Sequence, residues 1–209
     1  MEFAPTLDVP VFAIWTKVPL LLDRVEANDP DAWQRFVQLY APLIYGWCRN
    51  AGLQPADVFD VAQNVIQAVA TDIQSFEPGR KSSGAFRSWL WGVTRFRLLS
   101  YFRQRDKQVN AIGGEDAQQL LANLERQTQE PESVGGATSE QILKHSALEM
   151  LKSELDPRTW KAFWRMAVDG VAAKDVGEEL QMNSKAVRQA KFRVTKKLRE
   201  LLPDVVQFL

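Results

Sequence analysis

Residues 29–52 read DPDAWQRFVQLYAPLIYGWCRNAG and predict one long helix. Asp29 or Asp31 can act as its N-cap, with Pro30 in the first turn, where a missing backbone N–H is tolerated. Gly52 is typical of the residue that ends a helix. The apolar residues recur at intervals of three and four positions, which places them on one face that packs against a core. They are Trp33, Phe36, Val37, Tyr40, Ile44 and Trp47.

The same periodicity continues along the chain, and no segment shows the alternating pattern of a half-buried strand. Further helical patterns cover residues 58–73, 86–105, 118–126, 148–155, 160–167, 172–180 and 184–202. We therefore predict an all-α fold of two small helical domains joined by a flexible acidic linker. The N-terminal extension, the N-terminal helical bundle, the linker and the C-terminal helix-turn-helix domain span residues 1–20, 21–107, 108–140 and 141–209.

The composition excludes several kinds of site. The chain of 209 residues has one Cys and one His, whereas a structural zinc site needs about four such ligands and an intrachain disulfide needs two Cys. Cys48 is expected to be a small buried side chain, and His145 to have a surface or packing role. We predict no catalytic residues, no metal and no cofactor. No segment approaches the roughly 18 apolar residues of a membrane span, and the N terminus lacks the basic region of a signal peptide, so we expect a cytoplasmic protein.

The 26 basic and 26 acidic residues balance overall but are unevenly distributed. Residues 80–107 hold 8 basic and 1 acidic side chain, net +7, and residues 182–209 hold 7 and 2, net +5. Residues 1–79 hold 4 and 10, net −6, and residues 108–140 hold 1 and 6, net −5. Because salt screens charges beyond about 8–10 Å, the local charge decides whether a phosphate backbone is attracted. The two basic segments are therefore candidate nucleic-acid contacts.

Residues 172–202 have the pattern of a helix-turn-helix in which the second helix is basic. Its apolar positions from Val187 to Leu201 fall on one side, as expected of a face that packs against a core. The opposite face predicts contacts with base edges and phosphates in the major groove. The alternative is a solvated basic face without a ligand. The polar face holds Lys185, Arg188, Gln189, Phe192, Arg193 and Lys196.

Residues 80–105 combine cations with aromatic residues. Cations contact the phosphate backbone and aromatic faces stack on unpaired bases, so this pattern favours single-stranded or partly melted DNA. The alternative is that the aromatic residues belong to the core. They are Phe86, Trp89, Trp91, Phe96, Tyr101 and Phe102.

Four runs occur in order along the chain and form a set. The first is Ala32-Trp33-x-x-Phe36 with Pro42-Leu43-Ile44-Tyr45, and the second is FDVAQNVI at 59–66. The third is Ser75-Phe76-Glu77-Pro78 followed by Gly84-x-Phe86-Arg87-x-Trp89-Leu90-x-x-Val93-Thr94-Arg95, and the fourth is residues 160–202. The set resembles bacterial RNA polymerase sigma factors of the sigma-70 type, and most closely their extracytoplasmic-function (ECF) group. The first three runs are similar to sigma region 2 and the last to sigma region 4.

The resemblance implies contacts for each region. Docking on core RNA polymerase would involve Asp60, Gln63, Asn64 and Ile66. Opening of the promoter element near minus ten would involve Arg80, Lys81, Arg87, Trp89, Arg95, Phe96, Arg97 and Arg103. The element near minus thirty-five would be read by Lys185, Arg188, Gln189, Phe192, Arg193 and Lys196. The family commonly has an acidic residue where this chain has Asn64, Asn where it has Phe96, and Asp where it has Ser100. A stacking aromatic could therefore replace a hydrogen-bonding side chain at Phe96.

The resemblance predicts a non-enzymatic sigma factor that directs transcription initiation and is monomeric when free. Its partners would be core RNA polymerase and promoter DNA, and whether an anti-sigma protein also binds is left open. The acidic linker would either shield basic surfaces or occupy the RNA exit path. The alternative function is a stand-alone helix-turn-helix regulator, which would explain residues 172–202 and leave residues 30–105 without a role.

Overall fold

A computed structural model of the chain describes residues 21–76, 84–109 and 115–202, without the side chains of 106–109 and 115–118. The predicted all-α fold is confirmed, since every regular element in these ranges is helical. None of these helices is both long and apolar enough to cross a lipid bilayer. The helices are α1 (Leu21–Glu26), α2 (Pro30–Asn50), α3 (Pro55–Asp72), α4 (Ala85–Val109), α5 (Glu115–Arg126), α6 (Ser139–Glu154), α7 (Pro157–Ala167), α8 (Ala173–Leu180) and α9 (Ser184–Leu201), and a short 3-10 helix (Ile73–Ser75) follows α3.

Helix α2 forms as its sequence predicts. Of the two candidate caps, Asp29 is the one used, because its carboxylate accepts hydrogen bonds from the backbone N–H groups of Asp31 and Ala32. Pro30 occupies the first helical turn. Beyond the helix, Gly52 adopts a φ of +84°, a left-handed conformation that glycine reaches without steric strain. These local signals set the two ends of the central helix.

The core of the N-terminal bundle forms where α2, α3 and α4 meet. Trp47 of α2 and Trp91 of α4 are both almost completely buried, and their rings pack edge to face with centroids 5.4 Å apart. A second aromatic group links the other ends of the same helices, where Phe86 packs on Tyr40 at 5.2 Å and on Phe76 at 5.3 Å. This packing fixes which side of α4 faces outward.

Cys48 lies in this core, as expected, and burial raises the pKa of its thiol to about 12. The native thiol therefore stays protonated at pH 7–9, and we predict that it does not react with iodoacetamide in that range, because only the thiolate is nucleophilic. Unfolding restores an ordinary thiol pKa and should make Cys48 reactive. Ionisation above that ordinary pKa favours the unfolded chain, so stability due to this group is lost as the pH rises. Mass spectrometry with and without guanidinium measures the labelling; fast labelling of the folded protein would contradict the prediction.

The C-terminal helices pack against the bundle. Helix α6 lies along α2 and buries Leu143, Ala147 and Leu151, and α9 contacts α6. Glu154 at the end of α6 forms ion pairs with Arg35 of α2 at 2.7 Å and with Lys197 of α9 at 3.5 Å. The two predicted domains thus touch in this arrangement, while the predicted domain boundaries stay predictions.

Helices α8 and α9 form the predicted helix-turn-helix. Gln181 ends α8 in a left-handed conformation, with φ +52° and ψ 45°. The turn passes so close to α8 that a Cβ atom at Gly177 would lie 2.5 Å from the Met182 carbonyl oxygen. Asn183 then caps α9, accepting a hydrogen bond of 2.7 Å from the Ala186 N–H. Arg158 of α7 donates to the Leu180 carbonyl oxygen at 2.9 Å and so stabilises the end of α8.

Candidate nucleic-acid and polymerase interfaces

The basic face of α9 points to solvent as the helical-wheel pattern predicts. Its opposite face is buried, with Val187 and Val194 completely inaccessible. Phe192 is 57% exposed, so its ring is accessible from this face. All six predicted contact residues are exposed: Lys185, Arg188, Gln189, Phe192, Arg193 and Lys196. The surface is thus available to a ligand, while its role in DNA binding stays a prediction.

An ion-pair network between α7 and α8 helps to hold the helix-turn-helix in place. The Arg165 guanidinium donates to Glu179 of α8 and to Asp169, both at 2.9 Å. Lys161 lies 3.2 Å from the same Glu179 carboxylate. The hydrogen bonds from Arg165 and Lys161 lower the pKa of Glu179, so this carboxylate stays charged under ordinary conditions.

The aromatic residues of α4 divide into core and surface. Phe86, Trp91 and Phe102 are buried, so the core explanation is the correct one for these three. Trp89 is half-buried and packs on Phe76 and Phe86 with ring centroids 5.5 Å apart in each case. Phe96 is different, since 60% of it is exposed. Among the described aromatic residues of this helix, Phe96 therefore offers the most accessible ring for stacking.

Phe96 borders a pocket of about 370 Å³ on the surface of α4. The Arg97 guanidinium carbon lies 5.7 Å from the centre of the Phe96 ring, so a cation accompanies the aromatic face. Gly92, one turn earlier, has open space where a side chain would be. An open pocket with an aromatic face and a cation can hold a planar unpaired base by stacking. The pocket is lined by Asp72, Trp89, Gly92, Val93, Phe96 and Arg97.

Three of the predicted DNA-contacting cations on α4 are already engaged within the chain. Arg95 donates from Nε to the Leu124 carbonyl oxygen at 2.7 Å and from Nη2 to the Glu125 carbonyl oxygen at 2.5 Å. Arg103 pairs with the Glu125 carboxylate at 2.8 Å.

The third of these cations, Arg87, lies 3.7 Å from the Glu130 carboxylate. These partners could not be predicted from the sequence, because each lies 22 or more residues from its arginine along the chain and no linear pattern joins such positions. Of the other three cations proposed for the minus-ten element, Arg97 lies beside the Phe96 ring, and Arg80 and Lys81 lie outside the described residues.

The outer face of α3 carries the residues proposed to contact polymerase. Asp60, Gln63 and Asn64 are exposed, whereas Ile66 is partly buried and packs against the core. Phe59, which the sequence analysis missed as a contact, is 53% exposed beside Asp60. The signal that could have found it is an aromatic residue at a position four before Gln63, on the polar side of an amphipathic helix.

Comparison with known proteins gives a family match for the helices that carry the α3 and α4 surfaces. Residues 36–108, about a third of the chain, match the family model of sigma-70 region 2. The matched segment begins within α2 and includes all of α3 and nearly all of α4, and it ends before the helix-turn-helix. No curated protein matches the chain. The match supports a sigma factor of the sigma-70 family.

Proposed function

We propose that the protein is a sigma factor of the ECF group, which binds core RNA polymerase in the cytoplasm and directs it to promoters. The observation that carries the proposal is the region 2 match over residues 36–108. In this proposal α3 docks on the polymerase, α4 opens the element near minus ten, and α9 reads the element near minus thirty-five. The free protein is monomeric. No covalent chemistry is required of it.

The face of α3 suits a protein partner. It combines an exposed aromatic ring, Phe59, with three exposed polar side chains, Asp60, Gln63 and Asn64. An aromatic anchor surrounded by polar groups is the usual composition of an interface centre, because the ring buries much area at little entropic cost. Ile66 would act indirectly, by supporting the helix from beneath.

Promoter opening requires free energy that α4 would supply. Each base-pair step that melts loses on the order of 1.4 kcal/mol of stacking and pairing. A base stacked on an aromatic side chain regains about 1–3 kcal/mol. The pocket beside Phe96 is an exposed place on the described part of α4 where such a base would fit, with Arg97 next to the ring.

Reading both promoter elements requires the two predicted domains to separate. Elements near minus ten and minus thirty-five lie about 25 base pairs apart, or roughly 85 Å along B-DNA. A compact chain of this length has a radius of gyration of only about 17 Å. While α6 and α9 stay packed as described, α4 and α9 cannot reach both elements. Polymerase would therefore hold the two domains apart, and the linker would span the distance between them.

The deciding experiment adds the purified protein to core polymerase and measures transcription from a pool of promoters from its own genome. Promoter-dependent transcripts that require the protein are expected. Absence of core binding, or of such transcripts, would remove the sigma-factor proposal. Sequence-specific DNA binding by a dimer without polymerase would instead favour the stand-alone regulator.

Replacing Phe59 with alanine should weaken core binding about 30-fold or more, as expected for an aromatic anchor contributing at least about 2 kcal/mol. The ring is more than half exposed, so the fold should be unaffected. Fluorescence anisotropy with labelled protein measures the affinity, and circular dichroism checks the fold. Val168→Ala is the matched control, because Val168 is 50% exposed and lies outside α3. Equal affinities for the Phe59 variant and the wild type would show that α3 docks elsewhere or not at all.

A further inference from the structure

The segment from Leu120 to Val134, which we call the latch, packs on the bundle at two points. At one end, Leu120 approaches the chain after α2, where a Cβ atom at Gly52 would lie 3.4 Å from Leu120 Cδ1. At the other end, a Cβ atom at Gly46 would lie 2.6 Å from Val134 Cγ1, so Val134 fits only because position 46 has no side chain. Between these ends, Leu124 is 4% exposed and belongs to the core of the bundle. Residues 120–134 therefore pack against the bundle at both ends and in the middle.

The latch engages the cations proposed to bind DNA. Arg95 caps the C-terminal end of α5 by donating to two of its last carbonyl groups, a favourable position for a cation because the helix dipole is negative there. Glu125 pairs with Arg103, and Glu130 pairs with Arg87. The N–H groups of Arg95 and Arg103 that donate to latch oxygens cannot donate to a phosphate at the same time, and the Glu130 carboxylate offsets the charge of Arg87. DNA and the latch thus compete for the same guanidinium groups.

The Arg87–Glu130 ion pair is weak enough to separate when DNA binds. Its nitrogen and oxygen are 3.7 Å apart, and the two side chains are only 17% and 24% exposed. Arg87 Nε and Glu130 Oε2 are both buried without a hydrogen-bond partner. Desolvated charges without full hydrogen bonding contribute little net stability. The contact therefore occupies Arg87 without holding the segment firmly.

We propose that the latch is autoinhibitory: in the free protein, residues 120–134 mask Arg87, Arg95 and Arg103, and their release exposes the DNA-binding side of α4. The inference rests on the proposed function in so far as it assigns these arginines to DNA. Only molecules with an open latch bind DNA through these arginines, so the apparent affinity of the free protein equals the affinity of the open form multiplied by the open fraction. Phe96 stays exposed throughout, so DNA can make its first contact beside the latch.

The first test opens the latch by Glu125→Gln combined with Glu130→Gln. The ligand is a fluorescein-labelled single-stranded 20-mer, and anisotropy measures its binding to the free protein without polymerase. The affinity should rise about 3- to 30-fold, since two weak ion pairs are removed. The matched control is Glu132→Gln with Glu140→Gln, which changes the charge equally. Glu132 is exposed and Glu140 pairs with Lys144 on α6, so neither takes part in the contacts with α4.

The second test closes the latch covalently. Val134 Cβ lies 3.6 Å from the ideal Cβ position at Gly46, a separation that suits a disulfide. Gly46→Cys with Val134→Cys, in a Cys48→Ala background, should bind the same DNA at least about five-fold more weakly when oxidised than when reduced. Three outcomes would overturn the latch. The oxidised and reduced forms could bind DNA with equal affinity, or the charge control could gain as much DNA affinity as the opened variant. The third outcome is that no variant binds DNA.

The two proposals fail separately. Tighter DNA binding by the opened variant without polymerase-dependent transcription would retain the latch and remove the sigma-factor function. Polymerase-dependent transcription with unchanged DNA affinities in both tests would retain the function and remove the latch.

Discussion

Replacing Phe96 with alanine is expected to reduce promoter opening by about 5- to 150-fold, the equivalent of losing one stacked base at about 1–3 kcal/mol. The side chain is 60% exposed and beside a pocket of about 370 Å³, so its removal should change the surface of α4 and leave the core intact. The fluorescence of 2-aminopurine placed in the minus-ten element of a promoter measures the open fraction with core polymerase present.

Two measurements separate stacking from other effects at this position. Phe96→Tyr retains the aromatic face and should retain most of the opening. The affinity for core polymerase should be unchanged by Phe96→Ala, because α3 carries that contact in the proposal. Full promoter opening by the alanine variant would place the captured base elsewhere on the protein.

The double substitution Arg188→Ala with Gln189→Ala is expected to lower transcription from promoters that contain the upstream element. Each side chain that makes a bidentate contact with a base contributes about 1–3 kcal/mol of discrimination, which is about 5- to 150-fold per contact. Both residues are exposed in the first half of α9, the part that enters the major groove when a helix-turn-helix binds DNA. In vitro transcription on promoters with an intact or a scrambled upstream element measures the effect.

Arg199→Ala is the control for this experiment, because Arg199 is an exposed cation in the last turn of the same helix, outside the proposed surface. It should reduce transcription little. The double variant should also lose the difference between intact and scrambled elements. A reduction of the same size on both templates would argue against base recognition by α9.

Most helix positions could be predicted from the sequence, because helix ends are set by local chemistry. Asp29 and Pro30 begin α2, and Asp156 and Pro157 begin α7, where the Asp156 carboxylate accepts from the N–H groups of the first turn. The exposed and buried faces of α9 were also predictable, since one side of that helix is apolar and the other charged. In each case the relevant neighbours are within a few residues along the chain.

The exposed and buried residues of α4 could not be predicted in the same way. Its aromatic and basic residues occur around the whole helix, so periodicity does not separate Phe96, which is exposed, from Phe102, which is 5% exposed. The difference arises because α2 and α3 cover one side of α4 and α5 covers another. The partners of Arg95 could not be predicted either, because both are backbone carbonyl groups, 29 and 30 residues away along the chain.

The sequence by itself determined the all-α class, the ends of the principal helices, the two basic segments and the resemblance to sigma factors. These depend on short-range hydrogen bonding, periodicity and composition. Only the tertiary structure decided which ring of α4 is exposed to solvent, and that Glu125 and Glu130 pair with arginines proposed for DNA. The physical reason is that the exposure and the ion pairs of a side chain depend on which other elements pack over it, and those elements come from distant parts of the chain.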